Sequence, residues 1–344
     1  MRDVIKRVAI YMLFLVFFLG ITLLFVLLLI NVKLGSTVLE LMKPTLESLA
    51  TKVPGEFFPY FFTMEMFQRA LIAAIIVTIV AGLLGSFLLI RNLALIGDGL
   101  AHVSFGGIAF AIVIGTGFNV LWYALLFSII ASVLIFELQR REILTGDAAI
   151  AVFLTGMLSF GLVLLRLDTF FGIPLEGTGF TTNIEGYLFG SLLLVDEATL
   201  NWIMAVSVVS FFLLIIFYSA LLSTTIDPLA ARVQGIPEHF IGLGFIIVTA
   251  VVVVSMVKVI GALLVTALLV TPAATGQLVG RSFRSCILWT QFFGLSAVFI
   301  GLYMSAERDT GSGAMIALVS ACIFAVVLLS KSLILGLIKP KDNR

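Results

Sequence analysis

Long apolar runs, separated by short stretches of charged or turn-forming residues, follow one another along almost the whole chain. Most of them are about 20 residues long, the length that an α-helix needs to cross a bilayer. In lipid such runs must be helical, because every backbone polar group needs a partner within its own segment. The pattern predicts ten membrane spans, near residues 8–32, 67–90, 97–115, 120–138, 147–167, 198–222, 239–257, 259–279, 286–305 and 312–338.

The composition agrees with this pattern. Hydrophobic residues make up 61% of the chain, charged residues make up 11%, and the mean hydropathy is +1.24. A soluble domain carries about 25% charged residues, so most of this surface must face lipid. We therefore expect an all-α polytopic membrane protein with about ten transmembrane helices.

The distribution of charge sets the expected orientation. Lys and Arg cluster near both ends of the chain and in alternate loops, which places both termini in the cytoplasm. The run at 8–32 is too long for the core of a signal peptide, so we interpret it as a retained span. Two longer segments, 33–66 and 168–197, then become outer loops, the first with the charged and aromatic mixture of an interfacial segment. A net charge of only +1, without a basic stripe, argues against nucleic-acid binding.

The first candidate site is the sequence GDGLAHVSFGG, which begins at Gly97. Asp98 and His102 stand four residues apart and therefore share one face of a helix. A carboxylate and an imidazole that face one small volume are suitable ligands for zinc or manganese. Charged groups within a bilayer are costly and usually face a pathway or a partner. The alternative is structural, with Asp98 as a helix N-cap and His102 as an interior residue whose hydrogen bonds are satisfied.

The second candidate is the polar stretch DPLAARVQGIP, which runs from Asp227 to Pro237. Asp227 and Pro228 are typical of a helix start, and Gly235 is typical of a helix end. The pattern predicts a short helix between two spans on the cytoplasmic side. Such a helix could dock into a soluble partner, or it could be a well-capped connector.

The third candidate is GALLVTALLVTPAAT, at residues 261–275. Pro272 lies inside a predicted span, where it removes a backbone donor and bends the helix. Thr271 and Thr275 add hydroxyl groups beside the bend. These residues indicate tight helix packing or a moving element, although proline kinks also occur in membrane helices without any role in transport.

Taken in order, the three motifs resemble the zinc/manganese permease family of ATP-binding-cassette importers. The resemblance covers about residues 67–335 and includes YLFGSLL at 187–193. Ala101 and Gly106 stand where that family often has Ser and Pro. An extra N-terminal span and loop, 1–66, precedes a permease domain at 67–338 and a cytoplasmic tail at 339–344. With that span, the count equals the ten of the related cobalamin-type importer permeases.

The resemblance implies a transport subunit and not an enzyme. It assigns metal contact to Asp98 and His102. It assigns ATPase coupling to Asp227, Ala231 and Gly235, and pathway packing to Thr271, Pro272 and Thr275. The chain has no G-x-x-x-x-G-K-[ST] loop, so ATP hydrolysis is expected on a separate partner.

The implied machine lies in the cell membrane of a prokaryote, in contact with lipid. It combines two copies of this chain, or one copy and a paralogue, with two ATPase subunits and an extracytoplasmic metal-binding protein. No permanent cofactor is implied, since the divalent ion (zinc, manganese or iron) is the cargo. Two alternatives stay open: a metal-chelate permease of the siderophore type, which needs a wider cavity, and a secondary metal transporter, which needs no ATPase.

Overall fold

The computed structural model describes residues 31, 33–114, 120–166 and 195–338. These residues form helices and turns, with no strand among them. In chain order the helices are α1 Leu34–Ala50, α2 Tyr60–Thr63, α3 Glu65–Ile90, α4 Ile96–Ile114, α5 Val120–Arg140, α6 Gly146–Arg166, α7 Glu197–Ile216, α8 Tyr218–Ile226, α9 Pro228–Val233, α10 Glu238–Ile260, α11 Ala262–Leu269, α12 Thr271–Val279, α13 Phe283–Arg308 and α14 Ser312–Ile338.

Eight of the described helices are long and apolar enough to cross a bilayer, namely α3, α4, α5, α6, α7, α10, α13 and α14. Each begins within three residues of a predicted span. The prediction of an all-α polytopic membrane fold is therefore confirmed. The predicted first span, 8–32, lies outside the described residues except for position 31, as do nearly all of 168–197 and the tail 339–344, so the count of ten remains a prediction.

The predicted span at 259–279 is divided at Val270 into α11 and α12. Pro272 has no N–H with which to continue the helical hydrogen bonds, which explains why the division lies here. Gly85 of α3 packs against this point: a Cβ on Gly85 would stand 1.8 Å from the carbonyl oxygen of Leu269. The break and α3 can lie this close only because residue 85 has no side chain.

The segment 33–66, which the sequence predicted as an outer loop, contains the helices α1 and α2. The apolar face of α1 is buried, and at its start the N–H of Ser36 donates to Asn201 Oδ1 at 3.0 Å. Pro44, which lies inside α1, argues against a helix when the sequence is read locally. Burial of the apolar face outweighs that local effect, so a helix forms here that the sequence did not predict.

The other end of this segment is fixed to the bundle by Glu307, next to the last residue of α13. Its carboxylate accepts hydrogen bonds from the backbone N–H groups of Glu56, Phe57 and Phe58, at 3.2, 3.0 and 3.0 Å. The ring of Phe58 also lies edge-on to Tyr303, with centroids 5.3 Å apart. The segment is therefore an ordered cap on one end of the bundle.

The helices α3, α10 and α4 form the buried centre. In their most apolar stretches 83%, 78% and 72% of the residues are buried, against 17% in both α6 and α14. The helix α4 packs between α5 and α6 and also touches α10 and α11. Since α6 and α14 are apolar but mostly uncovered, their outer faces must meet lipid or another chain.

Candidate functional site

The helix α4 begins inside the bundle and not at its edge. Ser128 Oγ of α5 donates to the carbonyl of Leu100 at 3.3 Å. Ser128 stands twelve residues before Arg140, the last residue of α5, a distance of about 18 Å at 1.5 Å per residue. Asp98 and His102, which we call the metal pair, flank Leu100. They therefore lie well within the membrane-length part of the bundle.

The metal pair is the only part of this stretch of α4 that is not buried. Between Ile96 and Ala109 every residue is buried except Asp98 and His102. The side chain of Asp98 is 33% exposed and that of His102 is 14% exposed. One narrow polar face therefore opens on an otherwise buried stretch of α4.

The two side chains are placed to share an ion. Asp98 Oδ1 and His102 Nε2 lie 3.5 Å apart. Two ligand atoms on one tetrahedral metal, each at about 2.1 Å, stand about 3.4 Å apart. The observed separation therefore matches the distance between two ligands of a single ion, whereas it is long for a hydrogen bond.

The structural alternative for Asp98 does not fit this geometry. The helix begins at Ile96, so Asp98 lies within its first turn and is not the N-cap. His102 Nδ1 is buried and has no hydrogen-bond partner among the described residues. Within the part of the chain that the structure describes, one ring nitrogen of His102 is therefore left without a hydrogen bond.

Glycines allow the neighbouring helices to approach α4 closely. A Cβ on Gly106 would stand 2.8 Å from the Met157 carbonyl oxygen of α6, and one on Gly107 would stand 2.7 Å from the Tyr123 carbonyl oxygen of α5. Real Cβ atoms do not approach backbone oxygen this closely, so any larger residue would push the helices apart. Gly106, where the related family often has Pro, is thus a packing position.

The sequence did not single out Thr266, on α11. Its Oγ1 is buried without a hydrogen-bond partner among the described residues. The same oxygen lies 3.9 Å from the point where a Cβ on Gly97 would stand, so it borders the start of α4. Buried polar atoms are usually paired, and an unpaired one beside the metal pair marks a second polar position there. Only the contact with Gly97 distinguishes Thr266 from the other threonines of its motif.

The chain alone does not build a complete metal cage in the part that the structure describes. No group of three or more His, Cys, Asp or Glu residues lies close enough to hold a metal ion there. A permanent zinc site normally has three or four protein ligands. Asp98 and His102 alone fall short of that number among the described residues.

The third motif is placed mainly by packing. Pro272 is buried, and its ring carbons lie 3.6 and 3.7 Å from the position of a Cβ on Gly294 of α13. Thr275 is also buried, and its hydroxyl donates to the Thr271 carbonyl at 2.8 Å. Thr271 is half-buried. These contacts tie α12 to α13, and a role in the pathway remains a prediction.

The second motif forms the short helix that the sequence predicted, which confirms its local structure. Asp227 is the N-cap of α9, and its carboxylate accepts the N–H of Ala230 at 2.9 Å. Ala231 is buried, and its carbonyl accepts the N–H of Ile236 at 3.0 Å. Gly235 has a φ of 80°, the left-handed conformation that ends such a helix. We call residues 226–237 the docking segment.

The residues that a partner would touch are different ones. Three apolar side chains of the docking segment are strongly exposed: Ile226 at 68%, Leu229 at 71% and Val233 at 89%. Exposed apolar groups at the end of a bundle are typical of a surface that contacts another protein or the membrane. The sequence motif pointed to Asp227, Ala231 and Gly235, which shape the segment, and gave no sign of which side chains project from it.

The docking segment and the metal pair are separate sites. The helix α9 makes its main contacts with α8 and α10, whereas the metal pair lies on α4, within the bundle. The described residues thus form a bundle of membrane-length helices with an interior polar pair and an exposed apolar segment at one end, the class of a polytopic membrane protein.

Comparison with known proteins places this chain within one family. The sequence pattern of the ABC 3 transport family matches residues 63–331. The chain is 30% identical to the manganese import system permease protein ScaB of Streptococcus gordonii, over 79% of this chain and 93% of that protein. It is also 30% identical to the manganese transport system membrane protein MntC of Halalkalibacterium halodurans, over 78% of this chain and 89% of that protein.

A solved structure agrees with the sequence comparison. One chain of the PsaBC complex from Streptococcus pneumoniae, determined with a Fab, superposes with a TM-score of 0.65. That match has 29% identity and covers 76% of this chain and 90% of that chain. The protein belongs to the ABC 3 transport family, and it is a multi-pass membrane permease of the ATP-binding-cassette type.

Proposed function

We propose that this chain is the permease subunit of an ATP-driven importer of divalent metal ions, with manganese first among zinc, manganese and iron. The observation that carries the proposal is the metal pair, the only two residues between Ile96 and Ala109 that are not buried, at a separation that suits two ligands of one ion. The permeases ScaB and MntC, both named for manganese, support the choice of metal.

The chemistry of the pair suits a cargo ion. A transported ion must bind strongly enough to enter and weakly enough to leave. Two ligands per chain give such a contact, with water or a second chain completing the shell. A histidine that holds a resident metal usually donates its second ring nitrogen to an acceptor, and His102 Nδ1 has no such acceptor among the described residues. Permanent binding is therefore not expected.

A second permease copy, or a close paralogue, completes the pathway in this proposal. The outer faces of α6 and α14 are apolar and mostly uncovered, which leaves room for another chain. A two-fold arrangement would bring two metal pairs to one axis and provide four ligands. The importer would lie in the cell membrane, with both termini in the cytoplasm, as the Lys and Arg distribution favours.

The remaining partners follow from the two ends of the bundle. ATPase subunits would dock against Ile226, Leu229 and Val233, so that this chain performs no bond chemistry itself. A metal-binding protein would deliver the ion at the opposite, extracytoplasmic end.

The test is metal uptake by cells or vesicles that contain the whole transporter. We expect Asp98→Asn and His102→Ala each to abolish manganese uptake, because each removes one of only two ligands. Both variants should keep normal membrane levels and normal ATPase association. Asp309→Asn is the matched control: Asp309 is exposed and has a φ of 49°, a conformation that Asn tolerates.

Wild-type uptake by both metal-pair variants would overturn the proposal. Uptake that persists after ATP depletion would favour a secondary transporter instead. Transport of a metal chelate without transport of the bare ion would favour the chelate-permease alternative.

A further inference from the structure

Arg91 is a partly buried cation that the metal pathway and the docking segment do not explain. It caps the end of α3, and the next residue, Asn92, turns the chain with a φ of 56°. The guanidinium carbon lies 4.8 Å from the centre of the Phe245 ring of α10. No carboxylate of the described residues lies within ion-pair distance of it.

The hydrogen bonds of Arg91 lead directly to the docking segment. Its Nε donates to Thr225 Oγ1 at 2.9 Å, and one terminal nitrogen donates to Thr224 Oγ1 at 3.0 Å. Both hydroxyls in turn donate to the carbonyl of Leu221, at 2.6 and 3.1 Å. Because their hydrogens are committed to Leu221, both threonines present lone pairs to Arg91. Thr224 and Thr225 lie in the last turn of α8, three and two residues before the N-cap Asp227.

Arginine suits this position better than lysine. The planar guanidinium carries donors in a fixed fork and stacks on aromatic rings, whereas an ammonium group is a compact point charge. Burial lowers the pKa of Arg91 to about 10, and the charge of Glu238 partly opposes this effect. The group remains a cation at neutral pH. Glu238 itself is bound to Arg232, with Nη2 and Oε2 2.6 Å apart.

Arg91 therefore links α3 to α8 and α10, the two helices against which α9 packs. It belongs to the end of α3, it bonds the last turn of α8, and it stacks on α10. From Arg91 the chain leads after five residues into α4, which carries the metal pair. On the other side, Gly85 of α3 touches the break between α11 and α12. A shift of the docking segment would be transmitted through Arg91 to α4 on one side of the pathway and to the break between α11 and α12 on the other.

We propose that Arg91 is a positioning residue that couples movement of the docking segment to the helices around the metal pair. The inference depends on the proposed function, since it assumes that ATPase subunits move the docking segment. Arg91 touches neither the ion nor the ATPase. Its effect should therefore appear in the number of ions moved per ATP hydrolysed, and not in metal binding.

The experiment uses the complete transporter, with its ATPase subunits, in proteoliposomes. Manganese uptake and ATP hydrolysis are measured on the same samples. We expect Arg91→Gln to lower uptake per ATP about tenfold, the scale set by losing hydrogen bonds from a charged donor. Complex assembly and ATP hydrolysis should stay near wild type. Arg91→Lys should give an uptake per ATP between those of the wild type and Arg91→Gln, since lysine keeps the charge but lacks the forked set of donors.

A double-mutant cycle tests the contact itself. Thr224→Val combined with Thr225→Val removes the acceptors and should reproduce the loss, and adding Arg91→Gln should make it no worse. If Arg91→Gln folds poorly, the two threonine substitutions test the same contact without changing Arg91. Arg141→Gln is the matched control: Arg141, one residue past the end of α5, is an exposed arginine that bonds Glu137 of α5 at 2.7 Å. It should leave uptake per ATP unchanged.

Two outcomes separate this inference from the proposed function. If Gly235→Val abolishes coupling while Arg91→Gln keeps wild-type uptake per ATP, the role of Arg91 is overturned and the proposed function stands. If the wild-type protein shows no ATP-dependent uptake, the proposed function fails as well. A loss of folded complex in the Arg91 and threonine variants, with uptake per ATP unchanged, would make Arg91 a purely structural residue.

Discussion

The glycines around the metal pair and the glycine of the docking segment serve opposite purposes. On α4 there is no room: a Cβ on Gly107 would stand 2.7 Å from the Tyr123 carbonyl oxygen. At Gly235 there is open space, with nothing within 4 Å, but the backbone has a φ of 80°. The first position requires a missing side chain, and the second requires a left-handed backbone.

This difference reflects what each region must do. Under the proposed function the metal pair needs rigid walls, since a ligand pair 3.5 Å apart is useful only if neighbouring helices hold α4 in place. Under the same proposal the docking segment needs a defined turn that exposes Leu229 and Val233 to an ATPase subunit. Substitutions can separate a lack of space from a left-handed backbone as the reason for a glycine. Alanine is not tolerated where space is missing, whereas asparagine is tolerated where only the backbone angle matters.

The largest effect is expected at Gly107. Gly107→Ala places a methyl group against backbone atoms of α5, which cannot rotate away, and overpacking of this kind costs about 1–3 kcal/mol or more. We expect a marked loss of thermal stability in detergent and little folded protein. Gly156→Ala on α6 is the matched control, since nothing lies within 4 Å of that position. An equal loss in both variants would contradict the packing explanation.

An intermediate effect is expected at Gly235. A non-glycine residue in the left-handed region costs about 1–2 kcal/mol, and a β-branched side chain fits it worst. Gly235→Val should distort the end of α9 and reduce uptake and ATPase stimulation severalfold, while membrane insertion stays normal. Gly235→Asn should keep most of the activity, because asparagine tolerates this conformation. Wild-type coupling in the valine variant would make the docking segment a mere connector.

Sequence reasoning succeeded where structure is set locally. The spans follow from the length of apolar runs, and α9 follows from Asp227, Pro228 and Gly235, each of which acts on its immediate neighbours. The helix α1 was missed because its support is tertiary: the contact from Ser36 to Asn201 joins residues 165 positions apart. Pro44 gave a local signal that pointed the other way.

The candidate site was predictable in its residues but not in its surroundings. The four-residue spacing of Asp98 and His102 predicted a shared face. It did not predict that α4 starts inside the bundle. That position depends on the path of residues 91–95, which connect the end of α3 to the start of α4. Arg91 resembled any positive loop residue on the cytoplasmic side, since only the folded chain brings Thr224, Thr225 and Phe245 around it.

The smallest effect is expected at Asp227, where the comparison between the two regions can be made sharpest. Its carboxylate caps α9 through one hydrogen bond to the Ala230 N–H, and no packing depends on it because it is exposed. Losing an N-cap costs about 1 kcal/mol. Asp227→Ala should therefore speed hydrogen exchange at the Ala230 amide about fivefold, while the thermal stability of the whole permease hardly changes. Asp227→Ser should behave like the wild type, because serine also caps. Faster exchange in the serine variant as well would mean that the negative charge matters more than the cap. A global loss of stability would mean that the docking segment is part of the packed core, as α4 is, and the contrast between the two regions would not hold.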